Sequence, residues 1–292
     1  MQGIILKGIG SFYYVLDDAG AVHQVRAQRK LRRERLKPRI GDRVEITPGE
    51  GEEDGWIHGI LPRRNALVRP PVANIDVVVI VAAAAAPLPD LMMVDRLLLN
   101  ARRSHIDALL AITKCDLDEG LADDIVNQYR GAACDPVKVS AVTGEGVDAL
   151  RERLSGRVHA LAGQSGAGKS TLINALYGLT LETGDLSRKI DRGKNTTRSC
   201  ELIPVSCGGM VLDTPGFSLL ETDVFDPVEI KDSYPEFAPL EGGCFFQPCY
   251  HASEPRCAVR DAVRAGEIDP KRHERYVELL NDMRQRWRER YD

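Results

Sequence analysis

The chain lacks any apolar stretch approaching the roughly 20 residues that a membrane span needs. It begins Met1-Gln2-Gly3-Ile4-Ile5-Leu6-Lys7-Gly8 and has no long apolar run there, so no secretory leader is expected. It has little net charge. The 39 Lys and Arg against 43 Asp and Glu leave −4, so no global affinity for nucleic acid is expected and any basic face must be local. A disulfide framework is also missing. The cysteines number seven, which is odd; Cys115, Cys134, Cys200 and Cys207 are scattered, while Cys244, Cys249 and Cys257 cluster with a histidine. That usage points to a reducing, cytoplasmic compartment and to a metal site. What remains is the composition of an ordinary globular protein, 43% hydrophobic and 28% charged, and 292 residues suffice for two or three domains.

The most informative stretch is Gly163-Gln164-Ser165-Gly166-Ala167-Gly168-Lys169-Ser170-Thr171, which fits the P-loop pattern GxxxxGK[ST]. Val158 to Ala162 reads as a short buried strand before it, and Thr171 to Tyr177 as a helix after it. Glycines let the backbone curl so that successive N–H groups and the helix N-terminus face an anion, here a chain of phosphates. Lys169 would reach the β- and γ-phosphates, and the Ser170 hydroxyl would ligate Mg²⁺.

Flanking motifs select the nucleotide. The buried strand Ala108–Ile112 delivers Thr113-Lys114-Cys115-Asp116, a TKxD form of the [NT]KxD guanine signature. An Asp accepts from both N1–H and the exocyclic amine of guanine, a donor pair that adenine does not offer. Ser140-Ala141 follows the next strand and resembles the SA motif of GTPases, where a backbone N–H near Ala141 would meet guanine O6. Met210-Val211-Leu212-Asp213-Thr214-Pro215-Gly216 suits a strand followed by DxxG, with Asp213 holding Mg²⁺ through water and the Gly216 N–H sensing the γ-phosphate. The polar stretch Asp191 to Arg198 reads as the loop that responds to the γ-phosphate, and Thr197 is the candidate to complete the Mg²⁺ shell.

Residues 1 to about 62 read as all-β. Ser11–Leu16 and Ala21–Val25 flank the turn Asp17–Gly20, and Gly41–Ile46 and Trp56–Ile60 add two strands, which suits a Greek-key barrel of the OB type. The basic run Arg29 to Arg39 lies between them and is read either as a solvated face or as a loop gripping oligonucleotides, with Phe12, Tyr13 and Tyr14 as stacking or core aromatics. Arg63-Arg64-Asn65 and Arg69-Pro70-Pro71 read as a linker. From Ile75 onward, strands alternate with helices at Leu91–Arg103, Leu121–Tyr129 and Val147–Leu154, the pattern of a parallel sheet with helices on both faces.

Near the C-terminus, Cys244, Cys249, His251 and Cys257 are spaced C-x₄-C-x-H-x₅-C. Three thiolates and one imidazole close a tetrahedral Zn²⁺ site with no open position, so the metal would be structural. Asp226–Phe237 and Val259–Gly266 are expected to pack around it. Pro270 to Asp292 reads as one helix with Tyr276, Leu279, Leu280, Met283 and Trp287 on its apolar face. Arg284, Arg286, Arg288 and Arg290 at its end fit either a helix-dipole role or contact with phosphates.

The motifs run TKxD, SA, P-loop, switch, DxxG, whereas a usual GTPase starts at its P-loop. The order is a circular permutation, which domains tolerate because their termini lie close together. It places the zinc region directly after the DxxG loop. With its barrel, permuted core and zinc knuckle, the chain resembles the RsgA (YjeQ) family of circularly permuted GTPases over nearly its whole length. Arg69 to Asp76 and Arg192 to Thr197 also look like family segments. The resemblance implies GTP hydrolysis stimulated by the small ribosomal subunit in late ribosome maturation. Expected with it are GTP/GDP, Mg²⁺ and one Zn²⁺ as cofactors, contacts to ribosomal RNA, a monomer and no membrane partner. The expected division is an OB barrel over 1–62, the permuted GTPase over 63–225 and a helical zinc domain over 226–292.

In many GTPases a Gln directly after DxxG orients the attacking water. Phe217 stands there, so catalysis must draw on another group or on a partner. Family members often carry a catalytic His just before the paired switch threonines, and here that position is Asn195, which can orient water but cannot act as a base at neutral pH. Lys169, Asn195 and Thr197 are therefore the candidate catalytic set. A P-loop kinase or ATPase is the first alternative, and it gives no reason for Asp116. A non-catalytic, GTP-sensing RNA-binding module is the second, and Phe217 and Asn195 speak for it.

Overall fold

The computed structural model describes residues 1–33, 36–49, 53–67, 70–179, 200–213 and 222–290. The N-terminal strands are β1 (Gln2–Ile9), β2 (Phe12–Asp17), β3 (Val22–Ala27), β4 (Arg43–Thr47) and β5 (Gly55–Ile60). They close a barrel in the order β1-β2-β3-β5-β4. Only the β3–β5 pairing is parallel. Ile5, Val15, Val25, Val44, Ile46 and Ile57 fill its inside, the alternate positions of each strand.

Two features of the barrel depart from the sequence reading. β1 was not expected as a strand. Its pairing shifts register between Ile5 and Lys7, and its two faces, alternating along the strand, are both covered. Ile5 enters the barrel core and Leu6 the core of the neighbouring sheet. Part of the basic run is the short helix α1 (Arg29–Arg33), whose Leu31 plugs the barrel at 2% exposure. Arg39 is also structural, donating from Nη1 to the Leu67 carbonyl at 3.0 Å.

The segment read as a linker is stitched down. Arg63 makes a fork to the fully buried Asp42, Nε to Oδ1 at 2.7 Å and Nη2 to Oδ2 at 2.8 Å. Arg64 pairs with Asp76 at 2.5 Å, and the Asn65 side chain bonds both the N–H and the carbonyl of Ile75. The barrel is therefore held against the next unit by paired charges and shared apolar packing.

That unit is a six-stranded sheet, β6 (Val77–Ala83), β7 (Asp107–Thr113), β8 (Val137–Val139), β9 (Val158–Gly163), β10 (Glu201–Pro204) and β11 (Met210–Asp213). The order is β10-β11-β9-β6-β7-β8, parallel throughout except for the β10–β11 hairpin. All residues of central β6 are buried, as its β-branched run requires. Val78, Ile80 and Ala82 face α2 (Leu91–Arg103) and α3 (Glu119–Gln128). Val77, Val79 and Val81 face α4 (Val147–Leu154) and α5 (Lys169–Tyr177). The barrel covers the β10 edge, where Lys7 pairs with Glu201 at 3.0 Å.

The C-terminal region contains 3₁₀ helices Pro227–Ser233 and Pro235–Leu240, then α6 (Ala258–Arg264) and α7 (Pro270–Glu289). As expected, Ile230, Tyr234, Phe237, Val259 and Ala262 pack with the cysteines in one core. Tyr276, Leu279, Leu280 and Met283 of α7 are buried in it, and Trp287 is half-buried. The start of α7 carries a buried charge network. Arg272 is 2% exposed and reaches Asp95 of α2 at 2.5 Å and Glu236 at 2.9 Å; Arg275 takes the other Asp95 oxygen at 2.7 Å, and the Tyr129 hydroxyl donates to Asp95 at 2.6 Å. Among the described residues no helix is long and apolar enough to cross a membrane.

Candidate nucleotide and metal sites

The guanine and phosphate motifs emerge at one edge of the sheet. Strand register sets Gly163 of β9 beside Val81, Thr113 of β7 beside Ala83, and Val139 of β8 beside Thr113, so the loops that follow leave side by side. Asp213 ends β11, next to β9. This is the carboxyl edge of a parallel sheet, where open α/β proteins bind ligands.

The loops are joined directly. Thr113 Oγ1 donates to the Ala167 carbonyl at 2.6 Å, and Lys114 Nζ to the carbonyls of Gly166 at 3.0 Å and Ala86 at 2.5 Å. The Asp90 N–H donates to Gln164 Oε1 at 3.0 Å. Lys114 lies along the P-loop, so the guanine loop and the phosphate loop form one piece. Gly163 has φ +139°, and a Cβ there would stand 2.2 Å from the Val81 carbonyl oxygen. Gly168 has φ +90° and opens α5 with no side-chain cap, which leaves the first turn to an anion. Lys169 Nζ arches over the loop onto the carbonyls of Gly163 at 2.9 Å and Gln164 at 2.8 Å. Ser165, Gly166 and Thr171 are exposed, Ser170 is half-buried and Ala167 is buried. A curled backbone with a cation above it and an uncapped helix start fits a chain of phosphates.

The other candidates take distinct places. Asp116 is exposed beyond β7, and Cys115 is buried, which pushes its thiol pKa up. Ser140 is buried, and its hydroxyl accepts from the N–H groups of Thr143 at 3.1 Å and Val142 at 3.3 Å. Ser140 thus shapes the turn that presents half-buried Ala141. Burial and the nearby Glu201 carboxylate hold the Asp213 carboxyl above its usual range, and a divalent cation would reverse that shift. Asn195, Thr197, Gly216 and Phe217 lie outside the described residues.

The second site is the cysteine knuckle. Ligand atoms of Cys244, Cys249, His251 and Cys257 all stand within 4.8 Å of one another. Cys244 and Cys257 sulfurs are 3.9 Å apart, and His251 Nδ1 is 3.6 Å and 3.4 Å from them. The sulfur separation is far beyond a disulfide bond of about 2.05 Å. A tetrahedron with metal–sulfur bonds of ~2.3 Å has sulfurs about 3.8 Å apart. The donor set therefore fits Zn²⁺. Burial pushes the Cys249 thiol up to about 12, so a cation is what would hold these sulfurs as thiolates. The Ala258 N–H already donates to Cys244 Sγ at 3.3 Å.

Family models described as RsgA GTPase and RsgA N-terminal domain match residues 60–223 and 2–57. The chain belongs to the RsgA GTPase family. A small ribosomal subunit biogenesis GTPase RsgA of Geobacillus thermodenitrificans is 43% identical over 290 residues, 98% of both chains. The protein of that name from Caldanaerobacter subterraneus is 40% identical over 293 residues, 100% of this chain and 98% of its own. Among solved structures, YjeQ from Thermotoga maritima aligns with TM-score 0.83 and 34% identity, covering 97% of this chain and 98% of its own. YloQ, titled a circularly permuted GTPase, gives 0.80 and 32%, covering 98% and 95%. The permutation read from motif order is that of the family, and the chain is a GTP hydrolase of RsgA type with an OB-like barrel. An RsgA GTPase works on GTP and GDP with Mg²⁺, and the phosphate loop here suits that chemistry.

Sequence reasoning missed the Arg272–Asp95 network. Its partners lie 177 positions apart, and a lone Arg in the first turn of a helix carries no signal of burial. It also passed over Phe245 and Phe246, exposed at 64% and 46% on the knuckle, because aromatics beside cysteines read as packing.

Proposed function

We propose that this GTPase acts on the small ribosomal subunit during its late maturation, with turnover stimulated by that subunit. The observation that carries the nucleotide part of the reading is the locking of the TKxD loop to the P-loop through Thr113 and Lys114, which couples base choice to phosphate binding. Asp116 accepts from guanine with Lys114 along the base, and the turn at Ser140 and Ala141 receives O6. Residues Gly163 to Thr171 cradle the phosphates. Lys169 neutralises the β- and γ-phosphates, Ser170 and Thr197 ligate Mg²⁺, and Asp213 holds it through water. Gly216 senses the γ-phosphate, and Asn195 orients the attacking water. Cys244, Cys249, His251 and Cys257 hold one structural Zn²⁺.

The barrel over 1–62 and the zinc domain over 226–292 grip ribosomal RNA, and the GTPase over 63–225 times that grip in the cytoplasm as a monomer. Support for the partner comes from relatives named for small ribosomal subunit biogenesis. With Phe217 in place of a water-orienting Gln, intrinsic turnover is slow. The test is GTP and ATP hydrolysis by the purified protein with and without small subunits. GTP-selective turnover that rises many-fold with subunits supports the reading. Rapid multiple turnover by the protein alone contradicts it, and negligible turnover in both conditions returns the chain to a GTP-sensing assembly module.

A further inference from the structure

Beside the zinc knuckle, the C-terminal end of α7 and the start of the first 3₁₀ helix enclose an open cavity of about 730 Å³. Its lining residues include the aromatic Tyr250 and Trp287, the basic Arg284 and Arg288, and the amide-bearing Asn281 and Gln285. Tyr250 is fixed in place. It sits between two cysteine-knuckle ligands, its N–H donates to Glu254 at 3.0 Å, and its carbonyl accepts from the Tyr276 hydroxyl at 2.5 Å. Arg284 lies over the Tyr250 ring with Cζ 4.2 Å from the centroid, and Arg290 stacks on Trp287. Arg288 is exposed, its Nε donating to the Arg284 carbonyl at 3.2 Å. Among the described lining residues the one carboxylate is Asp226, already accepting from the Val228 N–H at 3.0 Å.

We infer that this cavity binds an unpaired nucleotide of single-stranded RNA. The inference rests on the ribosomal reading above and assigns a contact within it. Aromatic faces stack on any base, arginines meet the flanking phosphates, and amides can reach a base edge. An acidic peptide would meet the arginines but offers no flat ring to extend the Tyr250–Arg284 and Trp287–Arg290 stacks. Another cavity, at the α2–α7 boundary and about 680 Å³, makes the contrast: Asp90, Asp223 and Asp282 stand there against Arg96 and Arg286, with Asp282 paired to Arg96 at 3.7 Å, so it offers a phosphate chain no cationic excess.

The chain has two tryptophans, so a Trp56→Phe protein reports on Trp287 alone. Its fluorescence is titrated with a single-stranded RNA decamer, an abasic decamer of the same sugar-phosphate backbone, a duplex of the same sequence and a poly-glutamate decapeptide. Saturable quenching by the single strand, with little response to the other probes, is expected. An Arg284→Gln/Arg288→Gln protein, otherwise wild type, should bind the labelled single strand about tenfold more weakly, with a flatter dependence on salt. Its GTP hydrolysis without subunits should be unchanged. Equal responses to the abasic strand and the peptide, no saturable quenching, or unaltered RNA affinity in the double variant would each overturn the assignment. Those results would leave guanine selectivity and subunit stimulation standing, whereas quenching without stimulation would uphold the cavity and sink the ribosomal reading.

Discussion

At the knuckle, Cys244 and Cys257 lie thirteen positions apart, and four donor side chains converge within 4.8 Å. At the nucleotide edge, the groups come from loops after β7, β8, β9 and β11, and the contacts that hold them are mainly backbone carbonyls receiving Thr113, Lys114 and Lys169. One site is local in sequence and made of side chains; the other is spread along the chain and framed by a sheet. A site whose buried thiols and imidazole sit inside a small core depends on its ion for folding. A site on the edge of a sheet buried on both faces keeps its frame without ligand. The two regions should therefore fail differently, and the links between them can be cut one at a time.

The largest expected effect is loss of the metal. Apparent binding energies of structural zinc are about 10 kcal/mol or more, so Cys249→Ser or a strong chelator should release the ion and unfold the C-terminal region. Hydrogen exchange should then show 226–290 unprotected while β6, β7 and β9 stay protected. Protection that persists throughout would mean the knuckle folds without its ion.

Next is Asp95→Asn, which cuts the join between α2 and α7. It removes the carboxylate that Arg275 pairs with and leaves Arg272, 2% exposed, with Glu236 alone, and removing one partner of a buried pair costs about 3–5 kcal/mol. Urea unfolding measures it; a change below about 1 kcal/mol would move the join to the apolar contacts around Leu99 and Leu279.

Acid should separate the sheet from the knuckle through His159. This ring is fully buried in β9, with Nε2 2.7 Å from the Tyr177 hydroxyl, and burial lowers its pKa from 6.5 to about 4. Because the folded-state value is depressed, the unfolded chain binds the proton first. Stability is whole above pH 6.5 and falls as pH drops towards about 4, by on the order of 3 kcal/mol. A His159→Asn protein should lose that slope when unfolding is followed in the sheet. An unchanged slope would place the acid sensitivity elsewhere.

The smallest effect concerns base choice. Asp116→Asn should weaken GDP binding roughly tenfold to a hundredfold, the worth of charge-assisted hydrogen bonds. It should also improve binding of xanthosine diphosphate, whose 2-oxo group accepts where guanine donates. Isothermal titration with both nucleotides decides it; unchanged GDP affinity would remove Asp116 from the base site.

The legible parts were those whose cause is local. The β-branched run before Ala82 could only be a doubly buried strand. Apolar spacing placed α2 and α4 at the bounds the structure has, Leu91–Arg103 and Val147–Leu154. The P-loop and the cysteine spacing each carry their chemistry in a few consecutive residues. What stayed hidden depends on distant partners. β1 has apolar residues on both faces because each face meets a different core, so it shows no clean polar–apolar alternation. The segment from Arg63 looked like a tether because its anchor, Asp42, lies 21 positions upstream. Arg39 belonged to a basic run that suggested RNA, yet it holds the Leu67 carbonyl.

Both outer regions connect to the nucleotide edge. The barrel reaches it through Lys7 and Glu201, the cross-strand neighbour of Asp213, and the zinc region follows the DxxG loop in the chain. Through these two connections, nucleotide state is expected to set the grip on the subunit. The direct measurement is co-sedimentation of the intact, zinc-loaded protein with small ribosomal subunits, in GDP and in a non-hydrolysable GTP analogue. Binding should be several-fold tighter with the analogue. Equal binding in the two states would contradict that expectation.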